Sequence, residues 1–146
     1  MTKKALAIAS VVVLSMAVAA VSARAQAGFV LAANIPFDFV VGKQTLPAGE
    51  YRIEQLSGRS VLLIRSTDGH TSTIVMTMAA RANDWQSESK LVFNRYGDQF
   101  FLSQVWMAGR TDGQELIKTR RERLLQREIA RGSSKPETIS IAAHLK

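Results

Sequence analysis

Residues 35–54 read IPFDFVVGKQTLPAGEYRIE and contain two runs of alternating apolar and polar residues separated by a turn signal. In residues 46–49 (Leu-Pro-Ala-Gly), proline and glycine occupy the second and fourth positions of a type I turn. Such a pattern predicts a strand with one buried face, a connector, a tight turn and a returning strand. The apolar positions are Phe37, Phe39, Val41, Tyr51 and Ile53.

The chain from Phe29 to about residue 118 continues in short apolar runs separated by turn residues, the layout of an all-β domain. Residues 61–64 (VLLI) are apolar at every position and predict a strand deep in the domain. Met76 and Met78 alternate at strand spacing, so we expect them to pack in the core. Residues 79–89 are mostly polar and predict a longer loop.

Two short segments predict hairpins. Asp68-Gly69 suits a type I′ turn, which needs positive φ at both central residues. Tyr96-Gly97-Asp98 predicts a second hairpin between the strands that flank it.

After residue 118 the two-residue alternation typical of strands ends and a helical pattern begins. Thr119-Arg120-Arg121-Glu122 matches a capping box, in which the Thr hydroxyl and the Glu carboxylate satisfy reciprocal backbone donors. Good helix formers follow, and Gly132 sits where a C-cap belongs. We therefore predict a C-terminal helix over 119–132. Residues 133–146 form a linker followed by either a last strand or a disordered tail.

The predicted fold class is all-β, with one antiparallel β-sandwich or small β-barrel over residues 28–118. We expect seven or eight strands, with the C-terminal α-helix packed against them. The pattern leaves open the choice between sandwich and closed barrel.

The N-terminus has the three parts of a secretory signal peptide. Lys3 and Lys4 are followed by an apolar stretch over 5–21, and small residues then provide two Ala-x-Ala sites. Cleavage is predicted after Ala25 or Ala27. An uncleaved anchor is the alternative, but 17 Ala-rich residues lie at the short edge of a bilayer span. We expect an exported protein, periplasmic or extracellular, with no transmembrane segment in the mature chain.

Net charge and cysteine content limit the kinds of partner and of stabilisation that we expect. The chain carries 19 Lys and Arg against 12 Asp and Glu, net +7, and loss of Lys3, Lys4 and Arg24 with the leader lowers this to +4. The absence of cysteine means that an exported domain of this size depends on its core rather than on disulfides. Nucleic acid is not an expected partner, because export removes the usual ligand.

Three short segments, taken together, resemble those of a known group of proteins: residues 35–39 (IPFDF), 46–51 (LPAGEY) and 91–102 (LVFNRYGDQFFL). They resemble a group of small exported β-rich proteins of the acidobacterial type, which have no assigned activity. The resemblance covers most of the mature chain. It implies export and a compact β domain, and it supplies no catalytic or binding residues.

No catalytic site is predicted. The sequence lacks a Gly-x-Ser-x-Gly elbow and a phosphate-cradling glycine loop. His70 and His144, without cysteine, do not make a zinc site, so we expect neither metal nor cofactor. Asp38, Glu50 and Glu54 form an acid–base pair only if the fold brings them together.

The basic helix is the first candidate binding surface. At 100° per residue its arginines form one narrow stripe, which suits an anionic surface or an acidic envelope component. Interleaved Glu115, Glu122 and Glu128 favour instead an ordinary solvated face. The stripe comprises Arg120, Arg123, Arg127 and Arg131.

Aromatic residues near the hairpin ends are the second candidates. Trp85, Trp106 and Tyr96 are positioned where an exposed ring stacks on a sugar or an apolar ligand. The alternative is that such rings close one end of the core.

The sequence thus favours an exported, non-catalytic binding or interaction module of the periplasm or envelope. The alternatives are a small periplasmic hydrolase that uses loop carboxylates and an eight-stranded outer-membrane β-barrel. The sequence specifies neither the ligand nor the oligomeric state.

We predict that the protein recovered from the periplasmic fraction of an expressing bacterium begins at Gln26 or Gly28. Intact-mass spectrometry of the purified chain measures this. A mass that includes Met1 to Ala25 would contradict the leader assignment.

Overall fold

The structure is a computed structural model and describes residues 28–56, 60–132 and 135–146. The predicted leader therefore lies outside the described residues. Eleven strands and one helix occupy the described ranges: β1 (Val30–Ile35), β2 (Phe39–Val41), β3 (Gln44–Leu46), β4 (Gly49–Gln55), β5 (Val61–Ser66), β6 (Ser72–Arg81), β7 (Lys90–Tyr96), β8 (Gln99–Trp106), β9 (Asp112–Leu116), α1 (Arg120–Arg131), β10 (Glu137–Ala142) and β11 (His144–Leu145).

The strands form one sheet in the order β10-β7-β8-β9-β6-β5-β4-β1-β11, with β2 and β3 attached through β8. The all-β class with one C-terminal helix is confirmed. The expected number of strands, seven or eight, is too low. The alternative of a closed barrel is wrong, because the sheet is not closed. The sheet is also mixed rather than purely antiparallel, since Val40 of β2 pairs in parallel with Phe101 of β8.

The core lies between the two halves of this sheet. Strand alternation turns Tyr51 and Ile53 of β4 and Phe93 of β7 to the same interior. Phe39 contacts both halves edge-to-face, with its ring centroid 5.0 Å from that of Tyr51 and 5.6 Å from that of Phe93. The sheet therefore buries its own apolar face.

The predicted turn at residues 46–49 joins β3 to β4, but these strands do not pair with each other: β3 pairs with β2, and β4 pairs with β1 and β5. The other two predicted turns lie between paired strands. Tyr96 pairs with Gln99, so Gly97 and Asp98 make a two-residue connection, and Gly97 adopts φ 63°. The Asp68-Gly69 connection is longer than a two-residue turn: Ser66 N donates to Thr71 O, which leaves four residues between them. Phe29 to Val41 divides into β1 and β2, with Pro36 in the break.

Two expectations about β5 and β6 are wrong. Leu62 and Ile64 are fully buried, but Val61 and Leu63 are only half-buried on the other face of β5. Met76 and Met78 lie outside the core, with 66% and 53% of their surfaces exposed.

Strand β6 extends to Arg81, because Ala79, Ala80 and Arg81 pair with β9. The predicted loop over 79–89 therefore begins only at Ala82.

The C-terminal segment forms strands rather than a disordered tail. Ile139 of β10 pairs with Phe93 of β7, and Leu145 of β11 pairs with Leu31 of β1. Ala143, which separates the two strands, donates its N–H to Ser89 O and is buried. One short segment thus contacts both ends of the sheet.

We expect Leu91→Ala to lower the free energy of unfolding by about 2–5 kcal/mol, because Leu91 is completely buried and its truncation leaves a cavity. The matched control is Leu124→Ala, at a side chain that is 48% exposed. This variant should change the free energy of unfolding by less than about 0.5 kcal/mol. Urea unfolding of both variants measures the difference, and equal effects would contradict the described core.

Candidate functional site

Helix α1 begins with the predicted cap. Thr119 has extended backbone geometry, and its Oγ1 accepts the N–H of Glu122 at 3.2 Å. At the other end, Gly132 N donates to the carbonyls of Glu128 and Ile129. These bonds satisfy backbone groups that a helix otherwise leaves unpaired.

The carboxylate of Glu122 turns toward the sheet. Its Oε1 accepts from the Tyr96 hydroxyl at 3.1 Å and from Asn94 Nδ2 at 3.3 Å. Glu122 is 5% exposed, and no ion pair to it occurs within the described ranges. Two neutral donors and the nearby N-terminus of α1 therefore stabilise a buried carboxylate.

The environment of Tyr96 changes its acidity. Burial, the negative charge of Glu122 and the hydrogen bond to that carboxylate together raise the pKa of Tyr96 from 10.0 to about 12. Burial is the largest of these causes. The phenol is therefore a hydrogen-bond donor over the physiological pH range and not an acid or base catalyst there.

Apolar contacts hold the rest of α1 on the sheet. Leu125 and Ile129 pack against a small cluster formed by Val40, Tyr96 and Phe101. This cluster lies on the opposite face of the sheet from the main core, because Phe101 alternates with the core residue Leu102.

The four arginines of the predicted stripe are exposed on α1. Arg123 Nη1 donates to the carbonyl of Lys118 at 2.8 Å. Ion pairs in the described part of the chain join Arg95 to Glu137 and Arg110 to Asp112, so none of them uses the stripe. With Glu122 buried, Glu128 is the one acidic side chain that α1 exposes beside these arginines.

Two of the three candidate aromatic residues lie at opposite ends of one ladder. Trp106 pairs with Lys90 at one end of the β7–β8 ladder, whereas Tyr96 pairs with Gln99 at the other. Both rings are buried, so neither is accessible to a ligand. Trp85 is 73% exposed in the loop after β6, and its role in ligand binding stays a prediction.

Trp106 has a packing role. Its Nε1 donates to Gln104 Oε1 at 3.0 Å. The ring lies so close to Gly113 that a Cβ there would come within 2.6 Å of Trp106 Cε3. Glycine at this position therefore makes room for the indole.

Two of the three carboxylates considered for hydrolysis, Glu50 and Glu54, lie too far apart to act as a pair. Asp38 Oδ1 accepts the N–H of Ala48 at 2.9 Å and so caps the connection between β3 and β4. Glu50 and Glu54 lie four residues apart on β4, about 13 Å along the strand. That spacing exceeds the separation of about 5–10 Å used by paired carboxylates in glycoside hydrolysis.

Within the described residues, no group of three or more His, Asp or Glu side chains is placed to share a metal ion. An open cleft of about 510 Å³ runs beside His144, Asn34 and Glu50, and another of about 380 Å³ lies beside Tyr51 and Asp68. In the second cleft the Asp68 carboxylate already bonds Ser66 Oγ and His70 N, which lowers its pKa.

The comparisons with known proteins are negative: no protein-family model, curated protein or solved structure matches this chain. Across the part of the chain that the structure describes, no helix combines the length and apolar character needed to cross a bilayer.

The sequence pattern did not reveal the burial of Glu122. The capping box predicts that its carboxylate returns to the backbone of Thr119, whereas the bonds it makes in the structure are to Tyr96 and Asn94. These partners lie 26 and 28 residues away, so no local pattern identifies them.

We expect the free energy of unfolding to fall as the pH rises from 10 to 12. Because folding raises the pKa of Tyr96 above its ordinary value, this contribution is complete below pH 10 and is lost as the pH passes the folded value of about 12. Urea unfolding across this range measures it.

Tyr96→Phe is the control for that titration. In this variant the fall in the free energy of unfolding between pH 10 and 12 should lose the contribution of Tyr96. It should keep the contribution of Tyr51, whose pKa burial also raises. The same pH dependence in both proteins would contradict a buried Tyr96 phenol bonded to Glu122.

Proposed function

We propose that this protein is an exported interaction domain of a bacterial envelope and that it binds an anionic surface through the arginines of α1, with no catalytic step. The observation that carries the proposal is the burial of Glu122 beneath the helix. It removes an acidic side chain from the stripe and leaves the solvent face of α1 strongly basic.

The way α1 is held supports this role. Leu125 and Ile129 pack on the sheet, and Glu122 bonds Tyr96, so the inward face of the helix is attached to rigid strands. Arginines presented from an anchored helix lose little backbone freedom when they bind, which favours affinity. Arg127 and Arg131, near the C-terminal end, are both exposed.

Long arginine side chains suit phosphate-bearing polymers and lipid headgroups, because the guanidinium donates to two oxygens of one anion. A basic surface of this kind gains about 1 kcal/mol per Arg near an anionic membrane, and salt screens the gain. The predicted leader, with Lys3 and Lys4 before an apolar stretch, supports an encounter with such surfaces outside the cytoplasm.

We expect Arg127→Gln combined with Arg131→Gln to weaken binding to phosphatidylglycerol vesicles about tenfold or more, since two favourable contacts of about 1 kcal/mol each are lost. Co-sedimentation of the full chain with these vesicles at low salt measures the affinity. Added salt should weaken wild-type binding as well.

The matched control is Lys43→Gln combined with Arg81→Gln, which removes the same charge from exposed positions outside α1. This double variant should bind like the wild type. Equal weakening by both pairs would mean that net charge, not the helix, determines binding, and no binding by the wild type would overturn the proposal.

A further inference from the structure

Strand β10 lies at one end of the sheet and pairs with β7 alone. Ala143, which continues the strand, donates its N–H to the carbonyl of Ser89 next to β7. The register of β10 on β7 is regular, so Ile139 and Ile141 also direct their backbone groups toward β7. The backbone groups of Thr138 and Ser140 therefore point to the opposite edge. No hydrogen bond reaches that edge from elsewhere in the described ranges.

The edge of β10 lacks the usual protection against pairing. Natural edge strands are protected by charged residues, proline, bulges or short length. Residues 138–142 contain no charged residue and no proline, and their pairing with β7 is unbroken. Strand β11, at the other end of the sheet, is only two residues long and is followed by Lys146. Of these two end strands, β10 is thus the one that is suited to accept another strand.

A slot opens beside this edge, because β1 and β10 diverge. The pairing of β1 with β11 extends to Ala32 and no farther. Beyond it, Ala33 and Asn34 of β1 line one side of an open cleft of about 510 Å³, and Ile141 and Ala142 of β10 line another side. The slot therefore begins where the two strands separate.

Strand β1 also directs backbone groups into the slot. The carbonyl of Val30 accepts the N–H of Lys146, so Val30 faces the C-terminal strands. Alternation gives Asn34 the same direction. Its N–H and C=O have no hydrogen bond in the described part of the chain. Donors and acceptors thus border the slot on both sides.

The occupant that these groups fit is an extended polypeptide segment. Backbone N–H and C=O groups at two-residue spacing pair with those of another extended chain. On the inner face of β10, Ile139 and Ile141 are half-buried, and Ile141 contacts the core. Cross-strand neighbours share a face, so apolar residues at alternate positions of the segment would lie beside them.

A second folded copy does not match the slot. Its β10 is backed by β7, so pairing of the two β10 edges would bring β7 of that copy against β1 across the slot. A segment with no strand on its other side avoids this contact. The matching occupant is therefore an unpaired terminus or linker of another polypeptide.

We propose that the edge of β10 binds such a segment by strand addition. Thr138 and Ser140 exchange hydrogen bonds with its backbone, and its alternate apolar side chains pack beside Ile139 and Ile141. The inference is independent of the anionic-surface role of α1. The two are separated by salt, because screening weakens binding through arginines and has little effect on bonds between neutral backbone groups.

Hydrogen exchange of the full chain, followed by NMR, tests the edge itself. The amides of Thr138 and Ser140 should exchange quickly, and those of Ile139 and Ile141 should exchange slowly because they bond β7. Slow exchange at Ser140 in the protein alone would overturn the proposal. It would mean that a second copy covers the edge if protection rises with protein concentration, and that the chain covers its own edge if it does not.

A short peptide serves as the probe. The acetylated and amidated sequence Thr-Ile-Ser-Ile-Ala repeats residues 138–142 and can pair antiparallel with them. It should bind the full chain saturably and slow the exchange of the Ser140 amide. The same peptide with proline in place of its serine should not bind, because proline lacks the N–H. Absence of saturable binding up to about 1 mM of the first peptide would overturn the proposal.

Two variants of the protein identify the edge. Ser140→Pro removes an outward N–H that takes no part in the pairing with β7, and it should raise the dissociation constant of the peptide at least about tenfold. Thr138→Pro should act in the same way at the other outward amide. Ser140→Ala keeps the N–H and is the matched control, which should bind like the wild type.

Slow exchange at Ile139 and Ile141 checks that β10 remains paired with β7 in each variant. Wild-type affinity in a proline variant that passes this check would overturn the proposal, as would an equal loss in Ser140→Ala.

Discussion

The structure depends on one constraint: a single sheet must bury its own apolar face. Phe39 contacts Tyr51 from one half of the sheet and Phe93 from the other, and these contacts close the interior. Burial of aromatic and aliphatic surface is the main favourable term in folding, and a chain without cysteine has no disulfide to supplement it. Once the inner face is set, alternation along the strands assigns the remaining side chains to the outer face, on which α1 packs.

The second contact of consequence joins the helix to the sheet. Glu122 is buried without an ion pair in the described ranges, and its bonds to Tyr96 and Asn94 offset the loss of hydration. This contact orients α1 and withdraws one negative charge from its surface. A structural hydrogen bond thus determines the charge that the helix presents to a partner, which links packing to the role that we propose.

Much of the fold followed from local pattern. The alternation in residues 35–54, the glycines at 69 and 97 and the Thr119 cap each act over a few residues, so their consequences can be predicted from the chain alone. The number of strands, the C-terminal strands and the burial of Glu122 depend on partners far along the sequence. Ile139, for example, becomes part of a strand because Phe93 lies beside it. No property of residues 133–146 identifies that neighbour.

The amino-acid sequence determined by itself which residues share a face of each strand, where several of the turns fall and where the helix starts and ends, because these follow from backbone geometry and local hydrogen bonding. Only the tertiary structure decided which face points inward. On β6 the interior takes Thr73, Val75 and Thr77, and the Thr77–Gln114 hydrogen bond satisfies a buried hydroxyl. The more apolar face, with Met76 and Met78, is left outside. A two-residue period is the same for either orientation, so the choice depends on what lies across the sheet.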